Sequence, residues 1–213
     1  IKYTDPDGRQ IVDANGNIVK VLINEDDEGN RTASFEFAEG TKNNVIRKFN
    51  RNAGKPINTL IGSDTGNDLV KDAIASEDHI HITLSSEVRT DRLGATTKQD
   101  VIDGKTREKR QDIQVTVYQG SIDAVTRPTD EATKATEIGK LTIKTLDLWK
   151  DNKLNKDQKA ASVFGHELHH ATKDAAMKRK LTRQEHLQGA YNSEEIIIKE
   201  FGAKNKSNKK GNG

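Results

Sequence analysis

An α+β fold is what this chain predicts, on three observations. Short alternating segments separated by turn residues fill its opening, two further strand patterns flank a polar excursion in its middle, and long runs with apolar residues at helical spacing occupy its last third.

In "QIVDANGNIVKVLIN" two apolar runs flank Asn15-Gly16, the dipeptide that most readily supplies both positive φ angles of a type I′ hairpin. A second turn, "EDDEGN", leads into the alternating "TASFEF". From Lys42 to Ser76 the pattern becomes helical, with Val45, Ile46 and Phe49 on one face and Leu69, Val70, Ala73 and Ile74 on another, punctuated at Pro56 and between Gly62 and Gly66. "DHIHITLS" then reads as a half-buried strand, with Ile80, Ile82 and Leu84 inward and His79, His81 and Thr83 on an exposed face that needs no metal. The stretch from Ser85 to Gln111 is polar without a sustained period, as functional excursions and disordered loops are. "DIQVTVYQ" alternates again through Ile113, Val115 and Val117, and an antiparallel ladder with the earlier strand is expected.

After a loop containing Pro128 comes the mixed run "LTIKTLDLW". Asp157 stands as the N-cap of a helix in which Ala160, Val163, Phe164, Leu168, Ala171 and Ala175 recur at helical spacing. Thr182 followed three residues later by Glu185 has the form of a capping box, opening a last helix through "AYNSEEIIIKEF". The closing lysines, asparagines and glycines have nothing to bury and are expected to be disordered. No internal repeat is read.

Hydrophobic residues make up 32% of the 213 and aromatics 4%, lean for a compact fold of this size. Charged residues make up 32% and nearly cancel at +2, so no global field points toward nucleic acid or membrane, and neither is expected as a partner. Without cysteine, disulfides, thiol nucleophiles and thiolate metal sites are excluded together, leaving histidine and carboxylates as the strong metal ligands. No apolar run approaches the roughly eighteen residues of a membrane helix, and "IKYTDPDGRQ" lacks the basic and apolar regions of a signal peptide. The chain opens on Ile1 and is expected to belong to a longer polypeptide.

The chemistry lies in "VFGHELHHAT". His166, Glu167 and His170 make the pattern His-Glu-x-x-His. Helix positions i and i+4 lie about 40° apart around the axis, so the two imidazoles can share a metal. Glu167 can reach the open coordination position and take a proton from metal-bound water. His169 points about 100° away from the pair and reads as a bystander. A catalytic zinc site takes a third protein ligand. A further histidine six residues after His170 would provide it, but Ala176 stands there. Some twenty-five residues on, Glu194 shares the face of Ala190, Ile197, Ile198 and Phe201 and is the first candidate, Glu195 the second, while His186 reads as solvated. Among donors for the oxyanion of peptide hydrolysis, Tyr191 ranks ahead of His186 and Arg183, beside its plain reading as a core aromatic. The alternative to catalysis is a zinc-stabilised binding module whose fourth position is closed by a protein ligand such as His186.

His166-Glu167-Leu168-His169-His170-Ala171 with a downstream "SEE" helix resembles the glutamate-liganded zinc metallopeptidases, and more narrowly the small bacterial effector and toxin peptidases found at the C-terminus of RHS-repeat, polymorphic toxin proteins. "YTDPDGRQIVDANGNIVKV" is similar to the end of an RHS core, whose hairpins "D-x-x-G-N-I" echoes. The resemblance implies a zincin-like fold, a small mixed or antiparallel sheet packed on an active-site helix, with an edge strand that takes substrate in extended form. It implies one Zn2+ ion held by His166 and His170 with Glu194 or Glu195, Glu167 as general base, and a secreted or delivered endopeptidase acting on a protein substrate and held in check by an immunity protein. The thermolysin form Asn-Glu-x-x-Ser-Asp is absent, since Ser193 follows Asn192. The expected organisation is a β-hairpin segment over 1–40, a peptidase domain over 41–203 and a basic tail over 204–213.

Overall fold

The computed structural model describes residues 11–89, 91–102, 109–126, 139–176 and 182–210. The "DPDG" stretch, the loop at Pro128 and residues 211–213 lie outside the described residues, and so do the side chains of Arg183 and His186. Within them the α+β expectation holds. A four-stranded mixed sheet and a separate two-stranded hairpin pack with helices around one apolar core.

The first strand, β1 (Ile11–Val12), is followed by the hairpin strands β2 (Lys20–Glu25) and β3 (Arg31–Glu36). The turn at Asn15-Gly16 is not type I′. Gly16 has φ 80°, but among the described residues the one other residue type with positive φ is a lysine, Lys153, so Asn15 is not left-handed. Asp13 explains the difference. Its Oδ1 accepts the backbone N–H groups of Asn15 at 2.8 Å and Asn17 at 3.0 Å, which folds the loop around the carboxylate. The same loop recurs at Asp26, whose Oδ1 accepts from Glu28 at 3.0 Å and Asn30 at 2.7 Å, with Gly29 at φ 77°. Asp-x-x-Gly-Asn is therefore a structural repeat that the sequence reading passed over.

From Asn43 the chain is helical through α1 (Asn43–Phe49), a π segment (Asn50–Gly54) and α2 (Lys55–Leu60). Pro56 does not break this run, because it sits at the start of α2, where its missing N–H is not needed. Ser63 caps α3 (Asp64–Ala75) by accepting from the Gly66 N–H at 3.0 Å.

The sheet order is β1-β4-β6-β5. Strands β4 (His79–Ser85) and β6 (Lys109–Tyr118) run parallel, pairing Ile80 with Ile113 and Ile82 with Val115, which corrects the antiparallel expectation. Parallel neighbours need a long crossover. The polar excursion supplies it, and it is not structureless: it lays down β5 (Gly94–Ile102), antiparallel to β6 at the sheet edge. An edge strand exposed over Lys98–Asp100 carries no alternating apolar signal, which is why the sequence hid it. His79, His81 and Thr83 are half-buried rather than exposed, and His81 lies beside Lys48, Phe49 and Asn52.

Helix α4 (Gln119–Thr126) follows β6, and "LTIKTLDLW" falls in α5 (Gly139–Asp151). Trp149 is fully buried and its indole N–H donates to Ser162 Oγ at 2.9 Å. Helix α6 (Lys156–Ala176) starts from Asn155, not Asp157. Asn155 Oδ1 accepts the Gln158 N–H at 2.9 Å while Gln158 Oε1 accepts the Asn155 N–H at 3.1 Å, a reciprocal cap. Asp157 occupies the first turn, where a carboxylate suits the helix dipole. The Thr182–Glu185 box forms as expected, Glu185 N–H donating to Thr182 Oγ1 at 3.2 Å, and opens α7 (Arg183–Lys210). Residues 204–210 continue this helix, so the tail reading is corrected there. Asn205 exchanges amide hydrogen bonds of 3.1 Å with Gln158, anchoring the late turns to the start of α6. Phe164, Leu168, Ala171, Ile197, Ile198 and Phe201 pack α6 and α7 into the core beneath the sheet.

Candidate functional site

Three elements meet at the motif. Helix α6 carries His166, Glu167 and His170, α7 carries Tyr191 and Glu194, and the edge strand β5 carries Gly94, Thr96 and Lys98. Close approach of the two helices depends on Gly165: a Cβ there would collide with Ile197 Cδ1.

His166 and His170 sit one turn apart with ring centroids 5.1 Å from each other, as the i, i+4 spacing predicts. The His166 Nδ1 lies 3.2 Å from Oε2 of Glu194, which is 5% exposed. Glu195 is placed elsewhere. It accepts from Lys144 Nζ at 2.7 Å and Lys199 Nζ at 2.8 Å, and these lysines hold its carboxyl at about 2. The two neighbouring glutamates thus divide: Glu194 joins the histidines and Glu195 serves an ion-pair network between α5 and α7. The rings of Tyr191 and His166 meet edge to face at 4.7 Å. Burial raises the Tyr191 phenol, and Glu194 and Glu167 add to it by disfavouring a further negative charge, so it stays protonated and able to donate.

Glu167 is 7% exposed and burial pushes its carboxyl up, against the opposing pull of His166 and of its hydrogen bond from Thr96. Thr96 Oγ1 lies 2.7 Å from Glu167 Oε2 and 2.9 Å from the Glu167 carbonyl oxygen, and Lys98 Nζ donates to the His170 carbonyl at 2.8 Å. Gly94 is what lets β5 come so near: a Cβ there would stand 2.7 Å from both Cγ and Oε1 of Glu167. These three strand residues were missed from sequence. The signal available was a glycine followed by two threonines, "GATTK", inside a stretch with no other order.

Among the described residues, no three histidine or carboxylate side chains are already gathered as a ligand cage, and His166 and Glu194 are turned to each other. The donor set nevertheless suits a divalent cation. Two nearly buried carboxylates, Glu167 and Glu194, meet imidazoles and a hydroxyl, none of which carries a fixed positive charge. Imidazole nitrogens and carboxylate oxygens are donors that several divalent metal ions accept. Comparison of the chain with protein-family models, curated proteins and solved structures finds no match in any of the three.

Proposed function

We propose that the protein is a zinc-dependent endopeptidase of the glutamate-liganded zincin type, with His166, His170 and Glu194 as metal ligands and Glu167 as general base. The observation that carries this reading is the convergence of Glu194, 28 residues from His166, on the face that the His-Glu-x-x-His spacing had already singled out. Zinc bound there would polarise the scissile carbonyl and lower the pKa of water. Glu167 Oε2 is held by Thr96, which leaves Oε1 as the oxygen that takes the proton. Burial raises the proton affinity of that carboxylate, the direction that favours a general base. Tyr191, whose ring meets that of His166, would donate its phenolic hydrogen bond to a developing oxyanion. Strand β5 pairs with β6 along one side and is the last strand of the sheet among the described residues, so its other edge would take an extended peptide past Gly94 and Thr96.

The mixed sheet with an antiparallel edge strand above the motif helix supports the zincin-like fold. The Asp-x-x-Gly-Asn hairpins support a delivered bacterial toxin attached to an RHS-type core, with a protein substrate and an immunity protein as partners. No described helix is long and apolar enough to cross a membrane. Glu167→Gln is expected to keep zinc and to abolish cleavage of a proteome-derived peptide library. Undiminished cleavage by that variant would sink the mechanism.

A further inference from the structure

Between the two site helices lies a polar contact that the mechanism does not use. His169, the histidine whose sequence position points it away from the metal face, has Nδ1 2.9 Å from Ser193 Oγ. Its ring lies over Gly189, where a Cβ would stand 2.7 Å from Nε2. The contacts between α6 and α7 run in antiparallel order: Gly165 against Ile197, His166 against Glu194, then His169 against Ser193 and Gly189.

We infer that His169 is a positioning residue: its hydrogen bond to Ser193, closed over Gly189, fixes the register of α7 on α6 and thereby brings Glu194 to His166. The inference rests on Glu194 being a metal ligand. Apolar packing of Leu168, Ala171, Ile197 and Ile198 draws the helices together, but it is non-directional and tolerates small slides and rotations. A slip of one residue moves a side chain about 1.5 Å along its helix and about 100° around it, enough to carry a carboxylate out of reach. A hydrogen bond of fixed length one position from Glu194 resists that slip. Gly189 makes it possible, because only a residue without a side chain leaves room for the imidazole. Outer contacts that orient metal ligands in this way are worth about 10- to 100-fold in metal affinity.

The test uses the whole chain and Zn2+ alone, titrated against a chromophoric chelator, with the visible spectrum of the Co2+-loaded protein as a second readout. Ser193→Ala removes the hydroxyl and Gly189→Ala displaces the ring without removing a polar group. Each is expected to weaken Zn2+ about 10- to 100-fold and to shift the Co2+ spectrum toward that of Glu194→Ala. Ser193→Thr, which keeps the hydroxyl, is expected to restore both. Alanine's helix preference over serine and glycine works against the loss of one hydrogen bond, so the metal-free melting temperature of the two alanine variants should change little while affinity falls, a divergence that general loosening does not produce. Wild-type protein that binds Zn2+ tightly, with both alanine variants matching it in affinity and spectrum, overturns this inference alone. Wild-type protein that takes up no Zn2+ overturns the peptidase reading and this inference with it.

Discussion

Replacing Gly94 by alanine tests how closely the edge strand is fitted to Glu167, the proposed general base. The added Cβ would lie 2.7 Å from Glu167 Cγ, 2.7 Å from Glu167 Oε1 and 2.9 Å from Val163 Cγ1. Carbon atoms at optimal separation stand about 3.5 to 4.0 Å apart, so the methyl falls short by at least about 0.8 Å against Glu167 Cγ and about 0.6 Å against Val163 Cγ1, and it crowds Glu167 Oε1 as well. Gly94 does not have positive φ, so the backbone accepts alanine and the effect is one of side-chain space. Val163 is 3% exposed and belongs to the apolar core, so it is packed against other side chains. Either Glu167 leaves its position and its bond from Thr96, or β5 lifts from α6. Each route misplaces the base relative to an extended substrate by about 1 Å, which costs on the order of 100-fold in kcat/KM, or about 2.7 kcal/mol of transition-state stabilisation. Overpacking should also lower stability by about 1 to 3 kcal/mol. The assay is kcat/KM on a peptide recovered from library cleavage by the wild-type protein, beside zinc stoichiometry, which should stay unchanged because no ligand is touched. A Gly94→Ala variant with wild-type kcat/KM and wild-type melting temperature would refute the reasoning.

Thr96→Val keeps shape and removes the hydroxyl donor, so kcat should fall about 10-fold or more with KM little changed, and Thr96→Ser should recover most of it; equal rates for valine and threonine would remove Thr96 from the site. Because burial holds the Glu167 carboxyl above its ordinary 4.5, the metal-free protein has this group's stabilising contribution in full below that pH and loses it as pH rises through the raised value. Glu167→Gln does not titrate, so in chelator its melting temperature should gain on the wild type as pH increases above 4.5, and parallel curves would contradict the burial effect. Ser162→Ala leaves the buried Trp149 indole N–H without its acceptor and should lower unfolding stability by about 1 to 3 kcal/mol in a denaturant titration.

The helices were the legible part, because each repeats its apolar positions locally. The spacing around Phe164 and Leu168 found α6, and the spacing through Ala190, Ile197 and Ile198 found the apolar face of α7 and with it the inward carboxylate, Glu194. Helix ends were less legible: Asn155 and Asp157 both look like caps, and only the bonds with Gln158 separate them. Strand β5 was illegible for a different reason. Its order comes from hydrogen bonds to β6, and backbone pairing leaves no trace in side-chain hydropathy when the strand lies exposed at an edge.

The sequence alone determined the geometry on a single helix, since the angle between His166 and His170 and the adjacency of Glu167 follow from helical spacing. Tertiary structure decided everything that needed a second element. Helical spacing ranks Glu194 ahead of Glu195 as the inward carboxylate, but only the docking of α7 on α6 turns it to His166 and leaves its neighbour to Lys144 and Lys199. Likewise Gly94 and Thr96 came to Glu167, 71 residues from Thr96, through the pairing of β5 with β6. The reason is physical: local spacing sets directions within an element, while the distance between elements is set by how their side chains pack.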